Sequence, residues 1–321
     1  PKVDIAHLEI GSEQGQRRYV RLANSLRKSL RGLVTVLAGR YDLLHCNTAL
    51  DRPSITRDLA MVFAARLRQK GVLLHIHGGR FLEARPGRVL RWVIGLLMRL
   101  SAKVAVLSER ERSILVANYP ESADHVAVIR NGVNVCCLPQ RDDAGAGFKI
   151  MFVGRIAESK GIVPLLRACS GLASGVTVTL YGRGPLLDDV HRVASENKQV
   201  RYGGIFDTRE AQSIASRYDA LILPSLWGEG MPMAILEAMS VGTVPVCTAL
   251  GSIPEIVQDG ATGLLIAPEP EAICKAIEML SASPDLRKRL SEAAKNYALA
   301  NLCASKNYGQ LIPVYQQLVG S

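Results

Sequence analysis

Aromatic residues make up only 5% of this chain of 321 residues. Their scarcity argues against a carbohydrate-binding β module, because such modules hold sugars against aromatic rings. The longest stretch without charge, residues 238–254, contains two glycines and two prolines and does not predict a membrane-spanning helix. The first ten residues include acids and a histidine and lack a long apolar region, so no signal peptide is predicted.

Metal-binding patterns are also missing from the sequence. None of the seven cysteines forms a pair with the spacing of zinc ligands. Reduced thiols without a metal site are typical of cytoplasmic proteins, and we expect that location here.

The excess of positive charge lies entirely in the first half of the chain. The net charge is +10; residues 1–146 hold 23 Lys and Arg against 13 Asp and Glu, whereas residues 147–321 hold 16 of each. This asymmetry favours an anionic partner for the first half, either a membrane face or an anionic acceptor, over an ordinary solvated surface. Nucleic acid is disfavoured, because no aromatic residues interleave with the basic ones.

Short apolar runs alternate with segments of helical periodicity, the pattern of βαβ units and parallel sheets. In the first half, strands are predicted at residues 3–8, 42–46, 72–76, 103–107 and 125–129. Ser54 and Ser108 are the expected N-caps of two helices between them. Residues 131–147 lack periodicity and are rich in Gly, Pro, Asn and Asp, so they predict a linker. We therefore expect an α/β protein with two Rossmann-like domains, 1–146 and 147–301, which face a central cleft.

Residues 221–245 predict a buried strand, a turn-rich loop, a helix with Pro232 at its first position, and a second strand. The N–H groups at such a helix start attract anions. Glu229 in the loop and Glu237 in the helix place two carboxylates beside this phosphate site. A ligand with both phosphates and hydroxyls accounts for the pairing, and a nucleotide-sugar is such a ligand.

Other strand ends carry glycines and basic residues. Gly154 lets a ligand approach the backbone, and Arg155 and Lys160 suit a diphosphate; an ordinary surface loop is the alternative. Residues 181–184, Tyr-Gly-Arg-Gly, predict a strand end that admits a flat base or a phosphate, or else a tight turn. Residues 75–79, His-Ile-His-Gly-Gly, close a strand whose period of two puts both histidines on one face. No third metal ligand is evident near them, so we expect His77 to be a site residue in the cleft and His75 to be structural.

The order of these motifs resembles that of the retaining glycosyltransferases of family 4 (glycosyl transferases group 1), which have the GT-B fold. In the second half the motifs occur in the order FVGR, KG, YGRG, PS with Glu-x7-Glu, and GSIPEIVQDGATGLL. In the first half, YDLLHCNT, HIHGG, VLSE and IRNGVN stand where the family has similar segments. The resemblance also implies that a C-terminal helix, residues 302–321, crosses back to the first domain.

The resemblance implies a role for each site residue. Arg155 and Lys160 would hold the donor diphosphate, Glu237 the ribose hydroxyls and Glu229 the donor sugar, while His77 would lie near the sugar and the acceptor. The remaining donor-binding residues expected from the resemblance are Gly154, Arg183, Gly204, Ile205, Phe206, Gly230, Met231, Pro232 and Met233.

The resemblance further implies a hexosyltransferase that needs no cofactor and no metal. It would move a sugar from a UDP- or GDP-sugar to a saccharide or lipid-linked acceptor with retention of anomeric configuration, in cell-surface polysaccharide or glycolipid synthesis. The leaving nucleotide would depart from the face on which the acceptor attacks, so stabilising its charge is the main task. An inactive nucleotide-sugar-binding module and a nucleotide-sugar epimerase of similar fold are the alternatives.

Two expectations concern the first half. The chain opens with VDIAHLEIGS, which resembles the family's second strand, so the first βα unit is expected to be absent or to have diverged into residues 11–15. A basic amphipathic helix is expected near Leu90 and Met98, and it either lies on an anionic membrane or packs on its sheet. Together with the charge asymmetry, it favours an acceptor at or near the inner face of the cell membrane. The surrounding arginines are Arg80, Arg85, Arg88, Arg91 and Arg99.

Overall fold

The structure, a computed structural model, describes residues 3–8, 10, 18–134 and 147–319. Most of the predicted linker 131–147, and residues 11–15, therefore lie outside the described residues. The chain divides into two compact units. Unit 1 consists of Pro1–Ile129 and Tyr308–Ser321, and unit 2 of Arg130–Asn307.

The sheet of unit 1 has four strands within the described residues. All are parallel, in the order β1-β2-β3-β4, and every one of them was predicted. They are β1 (Leu43–Thr48), β2 (Gly71–Ile76), β3 (Lys103–Val106) and β4 (Val126–Val128).

The strand predicted at residues 3–8 is wrong. These residues form no strand, and all six side chains are exposed. Strands of a parallel sheet are buried on both faces, and among the described residues this segment has neither a partner strand nor a covering layer. Val3 and Ile5 alternate with other residues in the pattern of a strand, but the pattern alone does not form one.

Among the described residues of unit 1, five α-helices precede the junction with unit 2. They are α1 (Arg18–Ala38), α2 (Arg52–Leu67), α3 (Arg80–Glu83), α4 (Arg88–Leu100) and α5 (Glu109–Asn118). One face of the sheet packs against α2 and α4 through a core that includes Leu74, Ile76 and Val104. Ser108 caps α5 as predicted, because its hydroxyl accepts from the Glu111 N–H at 3.1 Å.

The predicted cap of α2 is wrong by one turn. Asp51 caps the helix, and its carboxylate accepts from the Ser54 N–H at 2.9 Å. Pro53 explains the shift, because proline fits the first turn of a helix, where its missing N–H would have no partner.

In the described part of unit 2 the sheet has six parallel strands in the order β10-β9-β8-β5-β6-β7. The chain runs outward from β5 to β7 and then returns to start β8 on the other side of β5. The strand order thus reverses between β5 and β8, which is the switch point where open α/β sheets bind ligands. The strands are β5 (Phe148–Val153), β6 (Val176–Tyr181), β7 (Val200–Gly204), β8 (Ala220–Leu223), β9 (Val244–Cys247) and β10 (Leu264–Leu265).

Over residues 147–301, seven α-helices connect and cover these strands. They are α6 (Ile162–Ala168), α7 (Leu187–Glu196), α8 (Ala211–Ala215), α9 (Met233–Ser240), α10 (Ile253–Ile256), α11 (Pro270–Ala282) and α12 (Pro284–Asn301).

The predicted C-terminal helix is divided into α13 (Ala304–Gly309) and α14 (Leu311–Val319). Pro313 accounts for the break, because it has no N–H to donate to the carbonyl of Gly309. The second helix belongs to unit 1, where Leu318 packs with Leu73 and Ala105 on the face of the sheet opposite α2 and α4. Within the described part of the chain, no helix combines the length and the apolar character needed to cross a membrane.

Candidate active site

The carboxyl ends of three neighbouring strands of unit 2 are joined by backbone hydrogen bonds. Gly154, after β5, donates its N–H to the Tyr181 carbonyl at 3.1 Å, and Gly182, after β6, donates to the Gly204 carbonyl at 2.9 Å. A Cβ at Gly182 would lie 1.9 Å from the Gly154 carbonyl oxygen, so only glycine fits there. Because these glycines have no side chains, a ligand beside the switch point can approach the backbone closely.

The loop that follows β5 and the loop that follows β8 are in direct contact with each other. Gly161 has φ 68° just before α6, and a Cβ there would lie 1.9 Å from the carbonyl oxygen of Pro224. The Leu226 N–H donates to the Ser159 carbonyl at 2.8 Å. These contacts bring Lys160 and Glu229, predicted from separate motifs, to the same place.

Lys160 and Glu229 form an ion pair with 2.5 Å between Nζ and Oε1. The carboxylate is nearly buried, with its side chain 5% exposed, whereas the lysine side chain is 22% exposed. The buried hydroxyl of Ser225 donates to the same carboxylate oxygen, and Thr248 donates to the Ser225 carbonyl at 2.7 Å. Glu229 is therefore held by two donors, of which only the lysine reaches solvent.

The backbone after Glu229 is fixed from two sides. The Ser252 N–H donates to the Gly230 carbonyl at 3.0 Å. The buried amide of Asn131 donates to the Met231 carbonyl at 2.9 Å. Because the loop is anchored through its carbonyls, its course into Pro232 and α9 is well defined.

Helix α9 begins at Met233, with Pro232 as its N-cap residue, so the predicted Pro232 start is one residue early. The first N–H groups of a helix have no acceptor within it and can bind an anion. Glu237, in the second turn, is half-buried, and burial raises its pKa to about 7. A carboxyl group with this pKa changes charge near neutral pH and can hydrogen-bond hydroxyl groups in either state.

The predicted basic and base-framing residues line the same strand ends. Arg155 and Arg183 are exposed, and among the described residues neither side chain has an ion-pair partner. Ile205 is exposed, and the Phe206 ring stands edge-on to the Tyr181 ring at 5.2 Å between centroids. An aromatic edge and an apolar side chain beside exposed guanidinium groups suit a planar base linked to phosphates.

His77 lies in unit 1, at the carboxyl end of β2. Its ring is exposed, and Nε2 lies 3.1 Å from Oδ1 of Asn47. The ring of His75 lies on the same face at 4.2 Å between centroids, as the period of two predicts.

His75 itself is buried in a polar chain. Its Nδ1 lies 3.3 Å from Nε2 of His45, whose Nδ1 lies 2.6 Å from the Tyr315 hydroxyl. Burial lowers the pKa of His75 to about 3 and that of His45 to about 4. The described residues include no cluster of three or more His, Cys, Asp or Glu side chains arranged to hold a metal.

Sequence reasoning missed Ser225, Thr248 and the role of Asn131. In the sequence Ser225 belongs to the Pro-Ser motif, and Asn131 belongs to the predicted linker. A possible signal for Ser225 is its spacing, four residues before Glu229, but the contact depends on the loop conformation. The contacts of Thr248 and Asn131 depend on tertiary structure.

Comparisons with known proteins identify the family. The family model described as Glycosyltransferase Family 4 matches residues 3–135, and the one described as Glycosyl transferases group 1 matches residues 140–297. The chain belongs to these glycosyltransferases. The switch-point loops that carry Lys160 and Glu229 lie within the second matched region.

Several characterised proteins resemble this glycosyltransferase. The alpha-maltose-1-phosphate synthase of Mycolicibacterium smegmatis is 26% identical over 72% of the chain and 67% of its own length. The glycogen synthase of Mycobacterium tuberculosis is 29% identical over 65% of the chain and 55% of its own length. The crystal structure of Anabaena Alr3699/HepE in complex with UDP-glucose has a TM-score of 0.77 at 18% identity, covering 91% of this chain and 82% of that one. This likeness establishes the GT-B fold for the glycosyltransferase.

Proposed function

We propose that this glycosyltransferase transfers a hexose from a UDP- or GDP-sugar to a saccharide or lipid-linked acceptor with retention of anomeric configuration. The observation that carries the proposal is the Lys160–Glu229 pair at the switch point of unit 2. It joins a cation suited to a diphosphate with a buried carboxylate suited to sugar hydroxyls. The UDP-glucose complex of the similar Anabaena protein supports this donor class.

In the proposed donor complex, each residue has one task. Arg155, Lys160 and the first N–H groups of α9 bind the diphosphate. Glu237 accepts hydrogen bonds from the ribose hydroxyls. The base lies along Arg183, Gly204, Ile205 and Phe206.

Lys160 changes partner when the donor binds. Its ammonium group, on a side chain that is 22% exposed, turns from Glu229 towards the diphosphate. Ser225 keeps the carboxylate in place to accept hydrogen bonds from the sugar hydroxyls. As the bond between sugar and phosphate breaks, negative charge grows on the leaving diphosphate beside Lys160 and Arg155. Fixed cations stabilise that developing charge, which is where such a site lowers the barrier.

The acceptor side is proposed for unit 1, with His77 near the reacting sugar. The leaving phosphate takes the acceptor proton on the same face, so the reaction needs no carboxylate nucleophile and no metal. The polymeric and phosphorylated products named for similar enzymes support a role in polysaccharide or glycolipid synthesis.

Ligand-induced stabilisation tests the donor assignment. Binding to the native state raises the apparent melting temperature, so we expect a shift with UDP-sugars or GDP-sugars and none with ADP-sugars. Using the sugar that binds, Glu229→Gln should lower turnover by about 10²–10³-fold, since it removes a preorganised electrostatic group. Glu271→Gln, an exposed site in α11, is the matched control and should leave turnover unchanged.

The outcome also separates the alternatives. Binding of a nucleotide-sugar without hydrolysis or transfer would contradict the enzyme assignment and leave a nucleotide-sugar-binding module. Conversion of the donor sugar to its epimer without transfer would instead identify an epimerase.

A peripheral membrane contact is proposed through α4. Ile94, Leu97 and Met98 face the core, so the helix does pack on its sheet. Its other face nevertheless exposes Val89 and Trp92, 79% and 61% accessible. Four exposed arginines lie in or just before the same helix, and exposed apolar side chains accompanied by basic ones suit an anionic bilayer surface. The exposed arginines are Arg85, Arg88, Arg91 and Arg99.

Vesicle sedimentation tests this contact. The protein should bind phosphatidylglycerol vesicles at low salt and be released by added salt, because the attraction is screened. Trp92→Ser with Val89→Ser should weaken binding, whereas Leu299→Ser, an exposed leucine of α12, should not. Absence of binding at low salt would refute the contact.

A further inference from the structure

Unit 1 contains a cavity of about 410 Å³ at one edge of its sheet. It is lined by Asp51, Arg52, Arg80 and Phe81. The lining residues follow β1 and β2, which are neighbouring parallel strands, so the cavity lies at the carboxyl ends where α/β sheets bind ligands. Its volume falls in the range of small-molecule sites.

The walls of this cavity are held in one conformation. Leu50 donates its N–H to the Gly78 carbonyl, and Phe81 donates to the Leu50 carbonyl, both at 2.9 Å. Gly79 has φ 114°, and a Cβ there would lie 2.3 Å from the Leu50 nitrogen. The two loops are thus joined so closely that the residues beside Gly79 and Leu50 have fixed backbone positions.

The two arginines are the free cations of the cavity. Both are exposed, and among the side chains that the structure describes neither guanidinium group has a hydrogen-bond or ion-pair partner. The carboxylate of Asp51 is engaged with the Ser54 N–H as a helix cap. The lining therefore offers two unpaired guanidinium groups, and each can bind a phosphate through two parallel N–H groups.

We propose that this cavity binds a phosphate group of the acceptor, with Arg52 and Arg80 as its ligands. The inference rests on the proposed function, since it specifies the acceptor class of the same reaction. The surplus charge of +10 in residues 1–146 supports it, because such a field attracts anions to this half. The phosphate belongs either to a sugar phosphate or to the head of a lipid carrier.

Calorimetric titration tests the subsite apart from turnover. The parent protein carries Arg155→Ala and Lys160→Ala, so that the donor site does not hold the probe. Glucose 1-phosphate represents a sugar phosphate and octyl phosphate a lipid head; methyl glucoside and octanol are the uncharged controls. At least one phosphate should bind, and the uncharged probes should not.

Variants then assign the binding to the cavity. Arg52→Gln and Arg80→Gln should each weaken phosphate binding by about tenfold or more, as expected when a charge-assisted hydrogen bond is lost. Arg66→Gln, an exposed arginine elsewhere in α2, should have no effect. Tighter binding of one probe identifies the source of the phosphate, and equal binding shows recognition of the phosphate group alone.

Two results would overturn the subsite: binding of neither phosphate, or equal affinity in the parent and both arginine variants. Either result with donor turnover intact in the unmodified protein would refute the subsite and leave the transferase assignment standing. Conversely, if the protein bound phosphate in this cavity but transferred no sugar, the site would stand and its assignment to an acceptor would be refuted.

Discussion

Lys160 and Glu229 lie 69 positions apart in the sequence, yet their charged atoms are 2.5 Å apart. The glycine between Lys160 and α6 makes this approach possible, because any side chain at Gly161 would collide with Pro224. The buried carboxylate is held by a lysine and a serine, and in the proposed donor complex the serine would keep it in place when the lysine turns to the diphosphate.

Breaking this pair should destabilise unit 2. Lys160→Met leaves the Glu229 charge with only the serine donor, and we expect a loss of about 2 kcal/mol, below the values for fully buried pairs because the lysine reaches solvent. Glu229→Gln should cost less, and the double variant should recover at least half of the Lys160→Met loss. Urea unfolding in a Trp92→Phe background, where Trp227 reports on unit 2, measures all three. Strict additivity of the two single changes would contradict the coupling.

Donor affinity should rise with pH through neutrality. Burial raises the pKa of Glu237 to about 7, and its ionised form is the stronger acceptor for ribose hydroxyls. The dissociation constant of the nucleotide-sugar should therefore fall between pH 6 and pH 8, a window set by that value of about 7. Glu237→Gln should flatten this profile; an unchanged profile in the variant would assign the titration to another group.

The glycine at position 182 should tolerate no side chain. Gly182→Ala places a Cβ 1.9 Å from the Gly154 carbonyl oxygen, whereas Gly175 also has a positive φ, 91°, but has open space around it. The Gly175→Ala control measures the cost of the backbone conformation alone, about 1 kcal/mol. Gly182→Ala should cost at least twice that in urea unfolding and also weaken donor binding. Equal losses at the two positions would show that the strand ends move apart easily.

Acid should destabilise unit 1 through its buried histidines. Burial lowers the pKa of His75 from 6.5 to about 3, so below pH 6.5 the unfolded chain binds a proton that the folded chain does not. The contribution of His75 to the free energy of unfolding is therefore complete above pH 6.5 and is lost as the pH falls towards 3. The loss from this residue is up to about 1.4 kcal/mol per pH unit. In a Trp227→Phe background, where Trp92 reports on unit 1, His75→Gln should reduce that slope. An identical slope in the variant would mean that His75 is not the group responsible.

Most of the fold was predictable because its signals are local. The βα alternation, the Ser108 cap and the shared face of His75 and His77 all follow from neighbouring residues and a fixed periodicity. The strand predicted at residues 3–8 failed for the complementary reason, since a strand also needs a partner that its own sequence does not encode.

The site was predicted as separate motifs, not as an arrangement. Gly154 was recognisable from its place at a strand end, Lys160 from its place before the next helix, and Glu229 from the loop before a helix start. Their pairing, and the support that Ser225 and Asn131 give, depend on which strands are neighbours in the sheet. That order reverses at β5, so distance along the chain carries no information about it.

The contacts at the two ends of unit 2 bear on how it can be built. The Val133 N–H donates to the Leu302 carbonyl at 2.8 Å, and the Ala304 N–H donates to the Val133 carbonyl at 3.0 Å. The Asn307 amide donates to the Asn131 carbonyl at 2.9 Å. The unit therefore begins and finishes at one spot, the condition that favours circular permutation and insertion of whole domains. A segment whose ends meet in this way can be moved between chains as one piece, and the candidate donor residues Lys160 and Glu229 would be carried inside it.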